Sequence, residues 1–371
     1  MENTDALPEE WGILRQWLPA DLRPLAQDKG FFTRRRGLQD ADRWLRLILM
    51  HVAGGLSLKQ TVVRAQELGL AQVSSVALHK RLKKAEEWLA ALTGHVLEQC
   101  WSGARTRRLL RPIRVVDATD IQEPGSTGTS WRLHYSLRLP EMRCDHYELS
   151  DASGGESLGR FTFESGEIIL ADRGYSHRGG AASVLAAGAD FVLRWHAALF
   201  PLLRTGKPFV PLEELRRLKV GQVKEWEVGF EWEGRRHPCR LCARRKSRQA
   251  ADRARRKALY KARTNQADPD PKYLELAEYV LVLTSLRSGQ MSAGQVLEFY
   301  RSRWQVELAF KRLKSLLALG HVPKTNDETA KAWMQGKVLV ALLIEKVLIE
   351  GRFFSPWGYP TQWREPVEMF S

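Results

Sequence analysis

Three acidic residues stand out by the company they keep. Asp117 closes the run Arg114-Val-Val-Asp117-Ala-Thr-Asp120, and Asp172 closes Ile168-Ile-Leu-Ala-Asp172, followed by Arg173-Gly174-Tyr175. Glu307 lies in a third pattern, Tyr300-x2-Arg303-x3-Glu307-x6-Lys314. On one helix at about 100° per residue, those four side chains fall within roughly 60° of one another. A stripe of one acid, two bases and a phenol suits a surface that holds a metal and grips phosphate oxygens. Carboxylates from distant segments that converge can hold two divalent ions. Simpler roles stay open for each residue alone. A strand-end Asp also forms turns or caps helices, and Arg303 with Glu307 also makes an ordinary charge pair on a solvated face.

Positioning these groups requires strands and helices in a particular order. Each apolar run before an Asp reads as a short buried strand ending in its carboxylate. Trp131–Leu139 and Met142–Leu149 alternate as a hairpin around Pro140-Glu141, so with the Asp117 strand they form a three-stranded meander. The Asp172 strand, a helix over about 176–187 and Asp190–Trp195 then supply strand, helix and strand. More than a hundred residues separate Trp195 from the Glu307 helix, too many for a plain loop. Lys224–Glu233 alternates as a strand that pairs with Pro238–Ala243 across Gly234-Arg-Arg. Residues 244–263 hold ten basic side chains and one acid, an exposed arm, and Glu278–Thr284 reads as a buried strand returning to the core. Glu328–Glu350 reads as a final helix.

The first hundred residues are helical by periodicity. Leu58–Leu68, a turn at Gly69-Leu70, and Ser75–Leu89 follow helix-turn-helix grammar, with Ser74 or Ser75 as cap. The second helix would carry His79, Lys80, Arg81, Lys83 and Lys84 outward toward DNA, and an ordinary helical hairpin with a solvated basic face is the alternative. Arg34–Arg36 adds a phosphate-contact candidate.

Taken together, these motifs resemble the DDE transposases of bacterial insertion sequences, and within them insertion-sequence family four, which the Tyr-Arg-Glu-Lys signature defines. The resemblance runs from about Ser57 to Glu350. It implies an α/β fold with an RNase H-like catalytic core, a β-rich insertion between the second Asp and the Glu, and a preceding α-helical DNA-binding domain. It implies Asp117, Asp172 and Glu307 as the catalytic triad, with Asp120 the rival for the first position. Asp117 would bridge two Mg²⁺ ions, replaceable by Mn²⁺, with Asp172 and Glu307 each completing one site. Tyr300, Arg303 and Lys314 would hold DNA near the cut. The partners implied are double-stranded DNA, at terminal inverted repeats and target, and a second copy of the chain in a homodimer. Some members cut through a hairpin, which needs a base stacked on an aromatic ring; Trp226, Trp232 and Trp304 are candidates, although tryptophan in amphipathic segments is more often core. A related nuclease and a non-catalytic DNA binder or transposition inhibitor share most of these features.

Composition agrees with a nucleic-acid partner. Among 371 residues, 58 Lys and Arg against 43 Asp and Glu give +15 and a pI near 9.8. The acidic start Met1-Glu-Asn-Thr-Asp is no secretory signal, and Val338–Ile344 is too short to cross a bilayer, so an intracellular protein with no membrane partner is expected; the resemblance implies a bacterial cytoplasmic, nucleoid-associated one. Four scattered cysteines exclude a disulfide framework; Cys239-x2-Cys242 could form half of a zinc site but has no second half. The expected domains are 1–108 (helical, DNA-binding), 109–196 and 277–350 (the two parts of the core), 197–276 (the basic β-rich insertion) and a tail over 351–371.

Overall fold

The computed structural model describes residues 6–32, 38–102, 111–126, 128–139, 143–264, 271–323 and 326–351. Arg34–Arg36, the turn at Pro140-Glu141, the Asn265–Asp270 segment and the tail beyond Gly351 lie outside them. The chain opens with α1 (Ala6–Arg15), α2 (Leu22–Asp28), α3 (Ala41–Gly54), α4 (Leu58–Glu67), α5 (Ser75–Leu82) and α6 (Glu86–Ser102). Strands β1 (Ile113–Ile121), β2 (Trp131–Leu139), β3 (Arg143–Asp151) and β4 (Ile168–Ala171), helix α7 (Arg178–Ala186) and strand β5 (Asp190–Arg194) follow. Then come β6 (Leu202–Arg204), β7 (Lys207–Phe209), α8 (Leu212–Arg216), β8 (Val223–Trp232), β9 (Arg235–Arg245), α9 (Arg248–Thr264), α10 (Pro271–Leu276) and β10 (Tyr279–Thr284). The chain continues through α11 (Ala293–Phe299), a 3-10 turn over Tyr300–Arg303, α12 (Trp304–Leu316) and α13 (Asp327–Gly351). No helix among the described residues is long and apolar enough to cross a membrane.

Two compact units emerge, Met1–Arg105 with Ile121–Ser130 and Lys311–Ser371, and Thr106–Asp120 with Trp131–Phe310. In the first, α13 packs along α6 and α3, burying Trp333, Met334, Val338 and Leu339 against Leu45, Ile48, Trp88 and Leu92. Close approach is possible because position 336 is glycine: a Cβ there would meet Val52 Cγ2 at 3.1 Å. Helices α4 and α5 form the expected hairpin, each capped by a serine, Ser57 in a full capping box with Gln60 and Ser74 on the Ala77 N–H. The second helix is shorter than periodicity suggests. It ends at Leu82, and Lys83–Ala85 turns the chain into α6.

The second unit is built on one ten-stranded sheet in the order β3-β2-β1-β4-β5-β10-β9-β8-β6-β7. Strands β1, β4 and β5 are parallel, with Val116 opposite Ala171 and Leu170 opposite Val192. Such strands are covered on both faces and read as continuous apolar runs, as Ile168–Ala171 and Phe191–Leu193 do. The β8–β9 hairpin forms as its alternation indicates, but its turn is only Glu233-Gly234, because Arg235 and Arg236 are already paired in β9 opposite Trp232 and Glu231. It does not stand apart from the rest of the unit. Six residue pairs join β9 to β10, and β10 pairs in turn with β5, so the inserted strands extend the central sheet. The basic run after β9 forms helix α9.

One buried arginine ties this sheet to the segment that leads into the Tyr300–Lys314 motif. Arg240, 2% exposed on β9, donates from Nε to the Leu286 carbonyl and from Nη2 to the Met291 carbonyl, both at 2.7 Å, and also pairs with Glu225. Its removal leaves two carbonyls unsatisfied. Arg240→Met is expected to cost roughly 2–4 kcal/mol, read as a lowered denaturation midpoint with an unchanged slope.

Candidate active site

Strand β1 continues to Ile121, so Asp117 sits in mid-strand and not at a strand end as the apolar run suggested. The tail Ala118-Thr119-Asp120 stays extended as part of β1, beyond the last β4 pair at Val116–Ala171. The pleat separates Asp117 from Asp120, because side chains three apart on a strand face opposite ways. Asp120 pairs with Arg132 at 3.1 Å and is half exposed. Asp117 is 9% exposed; its Oδ1 accepts the Ala118 N–H at 2.8 Å and its Oδ2 accepts Arg303 Nη1 at 2.9 Å.

Asp172 comes one residue after the Val116–Ala171 pair of the β1/β4 ladder, so parallel register sets it beside Asp117. Its Oδ1 accepts the Gly174 N–H at 2.6 Å. Glu307 joins from α12: Arg303 spends one terminal nitrogen on Asp117 and the other on Glu307. The four motif residues do not share one α-helix. Tyr300 and Arg303 belong to the 3-10 turn, in which residues three apart eclipse, so the Arg303 guanidinium lies over the Tyr300 ring at 6.0 Å. Burial pushes the Tyr300 hydroxyl up to about 12, keeping it a neutral donor. Lys314, exposed near the end of α12, belongs to the helical unit.

A fourth acid stands here that no local pattern announces. Glu156 arrives on the loop after β3, and its Oε2 fills the place a side chain at position 174 would take, 1.4 Å from an ideal Cβ. Asp172 Oδ1 lies 3.2 Å from the same point. Burial, repulsion from Asp172 and a smaller contribution from Glu156 raise the Asp117 carboxyl to about 7, although Arg303 opposes them. Behind the acids, Tyr175 is fully buried with its hydroxyl 3.4 Å from His134 Nδ1, and burial lowers that imidazole to about 4. A second group of cations, Arg173, Arg194 and Lys246, gathers nearby; burial, with the two arginines, brings Lys246 down to about 8.

Against known proteins, a family model described as a transposase DDE domain matches residues 150–343. Transposase InsL of insertion sequence element IS186A from Escherichia coli strain K12 is 36% identical over 351 residues, 91% of this chain and 93% of its own length. The transposase of element IS421 from Escherichia coli is 36% identical over the same shares. The chain belongs to the DDE transposases of bacterial insertion sequences. The transposase is thus a DNA-cutting and DNA-joining enzyme. A more distant relative, the transposase of IS231B from Bacillus thuringiensis subsp. berliner, is 21% identical over 92% of this chain and 79% of its own. The piggyBac transposase synaptic complex with hairpin DNA superposes with a TM-score of 0.47 and 11% identity over 91% of this chain and 75% of its own, too loosely to carry an argument.

DDE transposases work with divalent metal ions, and the acids present suit them: oxygen donors only, with the cysteines elsewhere. Among the described residues no three acidic, imidazole or thiol groups are arranged to enclose a cation, and Arg303 lies between Asp117 and Glu307. Cys239 and Cys242 are buried in β9, where burial raises both thiols, the second to about 12, and makes them core residues.

The expected basic face of α5 divides. Lys80 and Lys84 are exposed, whereas Lys83 pairs with Glu328 at 3.2 Å. Arg81 turns inward, donating to the Phe31 carbonyl beneath a cage of Phe31, Phe32 and Trp44 rings 5.0–5.7 Å away. Of the tryptophans, Trp226 is core, with Nε1 on Glu214 at 2.7 Å; Trp232 is 37% exposed and Trp304 49%.

Two outcomes follow from this geometry. A carboxyl whose folded pKa is raised stabilises the fold below its ordinary value near 3.8 and loses that contribution as pH climbs through about 7. In chelator, stability is expected to fall by up to about 4 kcal/mol across that window. Thermal melts of Asp117→Asn, which lacks this charge, should show a shallower fall. Gly174→Ala places a Cβ on the Glu156 carboxylate, the end of a flexible side chain, so it should cost under about 1 kcal/mol in stability. Metal affinity measured by calorimetry should nonetheless drop, about tenfold for a displaced carboxylate.

Proposed function

We propose that the transposase cuts and joins DNA at the ends of its insertion sequence through Asp117, Asp172 and Glu307, on an RNase H-like core formed by β1–β5 and β10 with α12. The observation that carries this reading is the Arg303 bridge from Asp117 to Glu307, with Asp172 one ladder step across β1/β4. Carboxylates from a strand and a helix meet at one guanidinium, and the register of β1 with β4 sets the third beside the first, which supports convergence on a common centre. In this reading the domains are 1–108 for DNA binding, 109–196 and 277–350 for the core, 197–276 for the basic insertion and 351–371 for the tail.

Asp117, Asp172 and Glu307 would hold two Mg²⁺ ions, or Mn²⁺ in their place. When bound, these ions activate the attacking water or 3′-hydroxyl and neutralise charge at the leaving oxygen. The chain's own groups do the rest. Arg303 exchanges a carboxylate for a phosphate oxygen when DNA arrives, a bidentate exchange suited to its planar fork. Tyr300 donates its hydroxyl to the backbone, while Lys314, Lys80 and Lys84 add attraction for phosphate. Arg81 and Lys83 act in the same domain through the contacts that shape it. Trp304, half exposed next to Arg303, is the tryptophan best placed to stack an unpaired base. Double-stranded terminal repeats and target DNA are the substrates, and a homodimer would bridge two ends.

A nicking and strand-joining assay on linear DNA carrying the element ends tests this reading. Wild-type protein should nick and join only with Mg²⁺ or Mn²⁺. Asp172→Asn and Glu307→Gln should each lower cutting by at least about 10³-fold with DNA binding retained, on the scale of losing a transition-state electrostatic group. Nicking that survives either substitution would discard the triad, and cutting without joining would leave a plain nuclease.

A further inference from the structure

The helical unit contains a cleft of about 970 Å³ that the triad chemistry does not use. Its cationic and titratable lining is Lys59, Lys314, Lys337, His51, His79 and His321, and among the described residues no carboxylate lines it. Two helices begin at its wall: Leu58 and Lys59 open α4, and Ser75 and Val76 open α5. First-turn N–H groups lack partners within their own helix and favour anions. Helix starts alone would say little. Lys337 adds an independent sign. It is 2% exposed in the middle of α13, among Met334, Val338 and Leu339, and lines the cleft.

Among the described residues Lys337 makes no ion pair or hydrogen bond; its ammonium rests over the Trp333 ring at 4.8 Å. An uncompensated lysine in an otherwise apolar stretch of helix is costly, and local rules broken in this way mark functional positions. Burial lowers its pKa, a cost that an anion in the cleft would offset. Leu56, Leu58, Val76, Pro323 and Trp333 make much of the remaining wall apolar, with Ser57, Gln60 and Ser75 among them. Cationic groups within apolar walls, in a cavity of ligand size, suit nucleotides whose sugars and bases are out of the duplex.

We propose that this cleft receives a short single-stranded stretch of the DNA substrate, its phosphates held by Lys337, Lys59 and the starts of α4 and α5. The proposal rests on the reading of the chain as an enzyme acting on DNA, and names a site that grips a frayed or cut strand. The test is fluorescence anisotropy in chelator, with a labelled single-stranded oligonucleotide and its matched duplex at several salt concentrations. Omitting metal separates it from the cutting assay, so failure of the triad and failure of this site read differently.

Lys337→Met, close to the lysine in shape, should weaken single-strand binding about tenfold, as one lost charge-assisted contact predicts. Lys59→Gln should lower the salt slope for single strands by about 0.7. Duplex affinity should change less in both. Val76→Glu, at an exposed lip position, should weaken single-strand binding without touching the core, which covers the case of a Lys337→Met protein that does not fold. Unchanged single-strand affinity in Lys59→Gln and Val76→Glu, or an equal loss for duplex, would overturn the proposal.

Discussion

Parallel pairing of β1 with β4 is the constraint on which the site depends. The register that sets Val116 against Ala171 sets Asp117 beside Asp172 without any further adjustment. Ile168–Ala171 is buried and apolar throughout, and Val115 and Val116 are buried beside it, so a slip of one residue would be resisted by the core and not only by the acids. Like charges held this close repel, and the fold absorbs that repulsion in two ways. Asp117 is raised toward neutrality, and Arg303 is brought across from the 3-10 turn to neutralise it. The Tyr300–Lys314 segment is therefore ordered partly by the electrostatic need of a strand nearly two hundred residues earlier.

Legibility in the sequence varied with the range of the interactions involved. The β8–β9 hairpin and the capped α4–α5 hairpin were readable because alternation, turn residues and Ser caps are local signals. Motif spacing singled out Asp117, Asp172 and Glu307; Arg303 pairs with the first and the last, and the β1/β4 register sets Asp172 beside Asp117. The length of β1 was not readable, because Ala118-Thr119-Asp120 is extended only by its neighbours in the sheet. Nor was the 3-10 turn at Tyr300–Arg303, where nothing in the composition separates it from α-helix. Arg81 was misread as outward because its partners, Phe31, Phe32 and Trp44, lie far upstream. Glu156 was invisible for a different reason: its position depends on the absence of a side chain at Gly174.

The long separation between the second Asp and the Glu also gains a physical meaning. The inserted strands β6–β9 join the central sheet through β10, and Arg240 on β9 hooks the Leu286–Met291 segment that leads into α11. The insertion thus holds the approach to the motif helix as well as contributing basic surface through α9.

The same topology bears on how the chain is made. Strand β5 finds its second neighbour only in β10, some ninety residues later. At about 5–20 residues per second of synthesis, roughly 5–20 seconds pass before that partner leaves the ribosome. Through that interval an apolar strand edge stands unpaired in a crowded cell, open to any other nascent chain. Pairing of β8 with β9 meanwhile needs only neighbours in sequence, so a finished hairpin can be waiting when β10 emerges to close the gap.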